Sequence, residues 1–246
     1  MNIFKKIHSM EFIFTKECYK TCNSYCCKNP YFKYLSSAKS DNIVLPMLET
    51  EFLALDNQIQ FKNTKNVIFA LKNNKKIKIY FVECDFKGLC SPHNLRPLIC
   101  KLYPYFPIVS NDGNFIRVRE STIYDLFYKD EKNHPCTLIR TNKINVINQL
   151  KITTEEIRKV PIMIFIFKSL QYIDEALQKY FKNIFGKKIF IDTLDRGGVI
   201  EFFKHYEKNS FTMQAFKEQE FIENINSLYN ILEQKYGEEF TQYFFD

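Results

Sequence analysis

The chain has 246 residues, 46% of them hydrophobic and 26% charged, with eight cysteines and no Trp. That length and balance belong to a globular protein that buries its own core without disulfide support, as one large domain or two small ones. The formal net charge of +7 would admit nucleic acid or a membrane surface as a partner. Against that, the lysines are spread along the chain rather than gathered in a stripe, and eight cysteine thiolates around two zinc ions would lower the charge to roughly +3.

The opening MNIFKK is basic, but Glu11 and Lys16 interrupt the stretch after it, and no apolar segment of signal-peptide length appears. The longest strongly apolar run, residues 160–167, falls far short of the roughly 20 residues that span a bilayer. A cytoplasmic location is expected. In that reducing setting disulfides are rare, and eight cysteines call for another explanation, of which metal is the usual one.

Taken in chain order, Cys18 to Cys27 reads as a helix or helical turn. Pro46 opens a helix, with Leu48, Phe52 and Leu55 at helical spacing. NVIFAL and IKIYFVEC, around the polar KNNKK, read as a β-hairpin whose second strand ends at Cys84. Residues 90–107 carry Pro92, Pro97, Pro104 and Pro107 and read as an irregular loop. Ser121 caps a short helix through Tyr128. Thr153 and Glu156 form a capping-box pattern, and Pro161 interrupts or kinks the helical segment beyond it. Ile166, Leu170, Ile173, Leu177 and Phe181 share a helical face that Gly186 ends. KKIFID reads as a short strand and Gly197–Gly198 as a turn. Helices come next at Val199, Phe202, Phe203 and Tyr206, and at Phe221, Ile225, Leu228, Leu232 and Tyr236, the last ended by Gly237.

The cysteines stand at 18, 22, 26, 27, 84, 90, 100 and 136, and none lies beyond. They divide the chain into a cysteine-bearing region, 1–145, and a cysteine-free helical region, 146–246. The first cluster is C-x3-C-x3-C-C. On a helix, residues four apart are neighbours, so Cys18, Cys22 and Cys26 would share a face, with Cys27 about a quarter turn away. The second cluster, Cys84, Cys90 and Cys100, lies in a loop that Gly88 lets turn sharply and that prolines stiffen. Arg96 and Lys101 stand close enough in sequence to offset thiolate charge. Sulfur ligands suit zinc, copper(I) and iron–sulfur clusters. His93, in the second cluster, and His134, two residues before Cys136, are candidate ligands or supporting donors; His8 and His205 are read as surface or core residues. No C-x2-C knuckle, P-loop, dinucleotide fingerprint, H-E-x-x-H or G-x-S-x-G is present.

The order C-x3-C-x3-CC, P-x-x-E-x-E-F at 46–52, then C-x5-C-x5-R-P-x-x-C-x-x-Y-P resembles the YkgJ-type cysteine-cluster proteins, which are described as zinc- or iron-chelating. The residues carrying the match are Cys18, Cys22, Cys26, Cys27, Glu51, Cys84, Cys90, Arg96, Pro97, Cys100, Tyr103 and Pro104. Cys136 sits where many members have a further cysteine, commonly followed by Pro-Gly; here Thr137 and Leu138 come after it. The first block has three residues between Cys22 and Cys26 where the family's name implies two, and His93 stands where Tyr is frequent. The pattern is also similar to the cysteine motif of FliB-type flagellin lysine N-methylases, although this chain is shorter and shows no second motif for a methyl donor. The resemblance covers residues 15–140.

The expectation is therefore an α+β protein: a cysteine-rich metal-binding region with a small β-hairpin and helices, followed by an all-helical C-terminal region. All eight cysteines are candidate ligands to an iron–sulfur cluster, [4Fe–4S] foremost, or to zinc, in an accessory, redox or structural role. The alternatives are an iron–sulfur-dependent protein lysine N-methyltransferase and, more remotely, a nucleic-acid-binding module. The helical region is a candidate surface for a protein partner.

Overall fold

The computed structural model describes residues 3–13, 18–29, 32–35, 40–55, 58–59, 61–90, 93–121, 124–212 and 214–246, with no side-chain description at 18, 208–212 and 214. Helix α1 (Ile3–Ser9) buries Ile3, Phe4 and Ile7, and α2 (Cys18–Cys22) comes next. Strand β1 (Ile43–Leu48) leads into α3 (Glu49–Leu55). Pro46 therefore sits in a strand and not at the head of a helix. The strand is an edge, bonded along one side only to β3, and an edge position tolerates the missing N–H. Ile43, Leu45 and Met47 face inward in alternation with exposed Val44, the period-2 signature that Pro46 obscures.

The expected hairpin is present as β2 (Lys62–Ala70) and β3 (Lys76–Cys84). The sheet order is β1-β3-β2, all antiparallel, with Ile43 opposite Cys84. Its inward residues Leu45, Met47 and Val82 pack with Leu55, Ile59 and Leu95.

Residues 90–107 are more ordered than their prolines suggest. Pro97 precedes helix α4 (Leu98–Leu102), and Pro107 lies inside β4 (Tyr105–Val109). Strand β4 pairs with β5 (Phe115–Glu120) in a second hairpin. Its turn holds Gly113 at φ 76°, where a Cβ would come 2.1 Å from the Arg158 carbonyl oxygen. All five residues of β4 are buried, so period-2 alternation is absent and the strand is silent to pattern reading.

The remainder is helical: α5 (Thr137–Thr153), α6 (Pro161–Phe185), α7 (Arg196–Thr212), α8 (Gln219–Tyr236) and α9 (Glu238–Thr241). Pro161 starts α6 instead of kinking it, since the first turn needs no N–H from it. Gly186 ends α6 at φ 67° and Gly237 ends α8 at φ 52°. The capping-box pattern is not used: Thr153 closes α5, its hydroxyl donating to the Gln149 and Phe12 carbonyls. KKIFID forms no strand; Ile191–Thr193 is a short 3-10 turn. Gly197–Gly198 opens α7, with the Gly198 N–H donating to Asp195 Oδ1 at 2.7 Å. The 3-10 turn near Ser121 covers only Asp125–Phe127 and has no side-chain cap.

The largest core joins α1, α4, β4, α5, the first half of α6, α8 and α9. Helix α5 runs across residue 145, and this core draws on both sides of it. A second, aromatic core gathers Tyr124, Phe127, Phe181, Phe202, Phe203 and Tyr206. The chain end returns to the sheet, where Phe245 and Lys76 exchange both backbone hydrogen bonds. No described helix is long and apolar enough to cross a membrane.

Candidate metal centre

Three separate segments bring cysteines to one cavity. In the first, α2 stops at Cys22 because Asn23 and Ser24 take left-handed φ of 52° and 56°. Such a conformation is uncommon for residues other than Gly, with Asn among the more tolerant. The chain then forms a 3-10 turn over Tyr25–Cys27. The reversal is held by the Ser24 N–H donating to the Tyr19 carbonyl at 2.9 Å and the Ser24 hydroxyl donating to the Lys87 carbonyl at 2.5 Å. The single helical face expected across Cys18–Cys27 is thus broken into two pieces. Cys18 begins α2, and its side chain lies outside the described residues.

The second segment starts where β3 ends at Cys84. Lys87 and Gly88 turn the chain with φ of 49° and 90°, and the Leu89 N–H closes the turn on the Phe86 carbonyl. A Cβ on Gly88 would lie 2.4 Å from Tyr19 Cβ. Gly88 is therefore a point of close approach between the two cysteine segments, beside the Ser24–Lys87 hydrogen bond, and only Gly fits it.

The third segment is α4, which carries Cys100. Its Leu98 N–H donates to Glu51 Oε1 at 2.6 Å, so a buried carboxylate from α3 positions the helix. Residues 8–11 strap it from the other side. Lys101 Nζ donates to the Met10 carbonyl at 2.5 Å, and Arg96 donates to Glu11 at 2.7 Å. Glu11 also lies 3.1 Å from His93 Nδ1.

The result is a cavity of about 720 Å³ lined by Cys22, Cys26, Cys27, Cys84, Cys90 and Cys100. Its lining also includes the apolar side chains of Ile43, Leu45, Phe61 and Phe86, with Ile43 the cross-strand neighbour of Cys84. Cys136 does not line this cavity. It borders a void of about 30 Å³ behind it, shared with Cys22, Cys26 and Cys100. None of the seven described cysteines is in a disulfide.

Electrostatics divides the thiols. Cys26 and Cys27 have sulfurs 3.9 Å apart. The hydrogen bond between them, then burial, pushes Cys26 up, while the same bond, helped by Arg96 and Lys28, draws Cys27 down. Burial pushes Cys84 and Cys136 up to about 11. Cys100 is also raised, by burial first and then by Cys27, Cys84 and Cys90. Burial lowers Lys101 to about 8. Among these five thiols Cys27 alone is lowered and ionises first.

Tetrahedral zinc at ~2.3 Å from each sulfur needs sulfurs about 3.8 Å apart. Among the described residues, no three His, Cys, Asp or Glu side chains are already gathered closely enough to hold one ion. The donor set itself, six thiols in one cavity, has the chemistry of an iron–sulfur or zinc site.

The histidines are placed differently from the cysteines. His93 is half exposed and pairs with Glu11 at the cavity mouth. His134 is buried; its Nδ1 accepts the Cys136 N–H at 3.0 Å and its Nε2 lies 2.9 Å from Asp125 Oδ1. Asp125 in turn accepts the Tyr25 hydroxyl at 2.9 Å. His8 is a core residue, 3.9 Å from Glu51. His205 Nδ1 lies 3.4 Å from the Tyr180 hydroxyl. Glu11, Tyr25 and Asp125 carry no motif. Their part in the centre depends on contacts between distant segments, Tyr25 and Asp125 being 100 residues apart, and no local pattern reveals them.

No family model, curated protein or solved structure matches the chain.

Proposed function

We propose that the protein binds metal through the cysteine-lined cavity, as an iron–sulfur or zinc protein with an accessory, redox or structural role. The observation that carries this is the convergence of Cys22, Cys26, Cys27, Cys84, Cys90 and Cys100 from three segments on one cavity. A cavity of about 720 Å³ is far larger than one ion, which favours a polynuclear cluster, [4Fe–4S] foremost, over a single zinc. These cysteines would hold it, with Cys136 and Cys18 as further candidates. A bound cluster would supply electron transfer or substrate activation, at a potential set by burial and by hydrogen bonds to the sulfurs. Arg96 offsets thiolate charge at Cys27 and Cys100, and Lys101 holds the adjoining backbone. The sequence resemblance to YkgJ-type proteins supports the same reading.

The test is differential alkylation. Protein reconstituted anaerobically with iron and sulfide, or with zinc, is expected to protect at least four of the six cavity cysteines and to release them on chelation. Equal reactivity before and after reconstitution would overturn the proposal.

The cavity also supports the second reading, an iron–sulfur-dependent lysine N-methyltransferase. Its volume falls in the range of small-molecule sites, about 300–1,000 Å³, and apolar side chains line it along with the sulfurs. Binding of S-adenosylmethionine to cluster-loaded protein, measured calorimetrically, is expected on this reading; no detectable heat would remove it. A nucleic-acid module has no comparable support. Several lysines are paired with acids, including Lys6 with Glu156, Lys78 with Glu49 and Lys179 with Glu220.

A further inference from the structure

Asp125 is a carboxylate with no exposed side-chain surface, and it lies on no wall of the two cysteine-bordered voids. Burying such a group is costly unless its partners are fixed around it. Its partners here belong to two cysteine segments. Tyr25, which donates its hydroxyl to Oδ1 at 2.9 Å, directly precedes Cys26 and Cys27. His134, whose Nε2 lies 2.9 Å from the same oxygen, accepts the backbone N–H of Cys136 on its other nitrogen. Because Nδ1 accepts, neutral His134 carries its proton on Nε2, which touches the carboxylate at that distance without the alignment of a hydrogen bond. Arg140 fixes the residue from outside by donating to the His134 carbonyl at 3.0 Å. The Tyr25 and His134 rings also meet edge to face, with centroids 5.6 Å apart.

The aromatic core of the helical region supports this arrangement. The Tyr124 N–H donates to the Tyr206 hydroxyl at 3.1 Å. The Tyr124 ring packs edge to face on Phe203 and Tyr206, and Phe127 packs on Phe181 and Phe202. Asp125 is thus held between Tyr124 and Phe127 by α6 and α7.

We infer that Asp125 is a positioning residue for the cysteine centre: through Tyr25 it sets Cys26 and Cys27, and through His134 it sets Cys136, with the C-terminal helices as its footing. The inference rests on the metal-binding reading for its purpose, but its geometry is testable without metal. The two struts are separable. Tyr25→Phe removes the first and keeps the ring; His134→Phe removes the second. Asp125→Leu removes both, and Asp125→Asn restores an acceptor oxygen at the same place.

The experiment is cysteine-resolved alkylation by mass spectrometry, on metal-free and on reconstituted protein, with thermal melting alongside. In metal-free protein, Tyr25→Phe is expected to speed alkylation of Cys26 and Cys27 at least tenfold, with Cys84 and Cys90 unchanged. His134→Phe is expected to do so at Cys136 alone, Asp125→Leu at all three, and Asp125→Asn to bring the rates back toward wild type. In reconstituted protein the same variants are expected to release metal faster and to alter the visible or electron-spin spectrum. Unchanged rates at Cys26, Cys27 and Cys136 would overturn the inference. So would acceleration that is equal at all cysteines and tracks the loss of melting temperature, since that is general unfolding. A wild type that takes up no metal overturns the proposed function alone, because the metal-free pattern still decides the role of Asp125.

Discussion

At Cys26 and Cys27, adjacent thiols 3.9 Å apart are driven in opposite directions, one up and one down. Elsewhere burial dominates, and it has a consequence for stability. Cys84 and Cys136 are raised from 9.0 to about 11. An unfolded chain releases those protons near the ordinary thiol range, so between about pH 9 and 11 the unfolded state binds fewer protons, and the fold loses stability as pH rises. Lys101, lowered to about 8, and the lowered Cys27 act in the opposite sense, but they are two groups against four raised thiols, Cys26 and Cys100 included. The metal-free protein is therefore expected to melt at a lower temperature at about pH 10.5 than at about pH 8.5. Replacing Cys84 and Cys136 together by Ala should flatten that slope. Glu51 offers a second test. Glu51→Ala leaves the buried Leu98 N–H without its acceptor, which is expected to cost about 1–3 kcal/mol in urea unfolding and to loosen the segment bearing Cys100.

Between elements, the centre depends on backbone conformations that few residues permit. Gly88→Ala must relieve both a positive φ and a 2.4 Å approach to Tyr19. It is expected to cost about 1–3 kcal/mol and to reduce metal uptake, measured as metal per chain. Gly88 is visible in the sequence as a turn beside a cysteine; its contact with Tyr19 is not, because that contact joins two segments far apart in the chain. The same distinction runs through the fold. Strands β2 and β3 and helices α6, α7 and α8 are legible, since β-branched runs around a polar turn and apolar stripes at helical spacing are local signals. Strand β1 is hidden by Pro46, β4 by complete burial, and α4 by the prolines that flank it. The six cysteines of the cavity can be named as candidate ligands from their spacing, but the split of Cys22 from Cys26 by two left-handed residues cannot. Asp125 carries no signal at all: a lone acid before an aromatic run resembles any surface residue until its partners are seen.

Across the whole molecule, the helical region and the cysteine region are mechanically joined. Tyr206 bonds the backbone beside Asp125, and Phe245 pairs with Lys76 at the start of β3. Phe202 is fully buried against Phe127, Phe181 and Tyr206. Phe202→Ala is expected to cost about 3–5 kcal/mol and, in the fraction that remains folded, to raise the alkylation rate of Cys26 and Cys136. Unaltered cysteine reactivity in that variant would show that the two regions act independently.

The central claim is that the cysteine-lined cavity holds metal, and anaerobic purification followed by metal analysis and a visible spectrum tests it most directly. Iron and sulfide in stoichiometric amounts, with a broad absorbance near about 400 nm from thiolate-ligated iron, are the predicted result. Stoichiometric zinc in a colourless protein would keep the site and replace the cluster. A folded protein carrying neither metal, before and after reconstitution, would contradict the account.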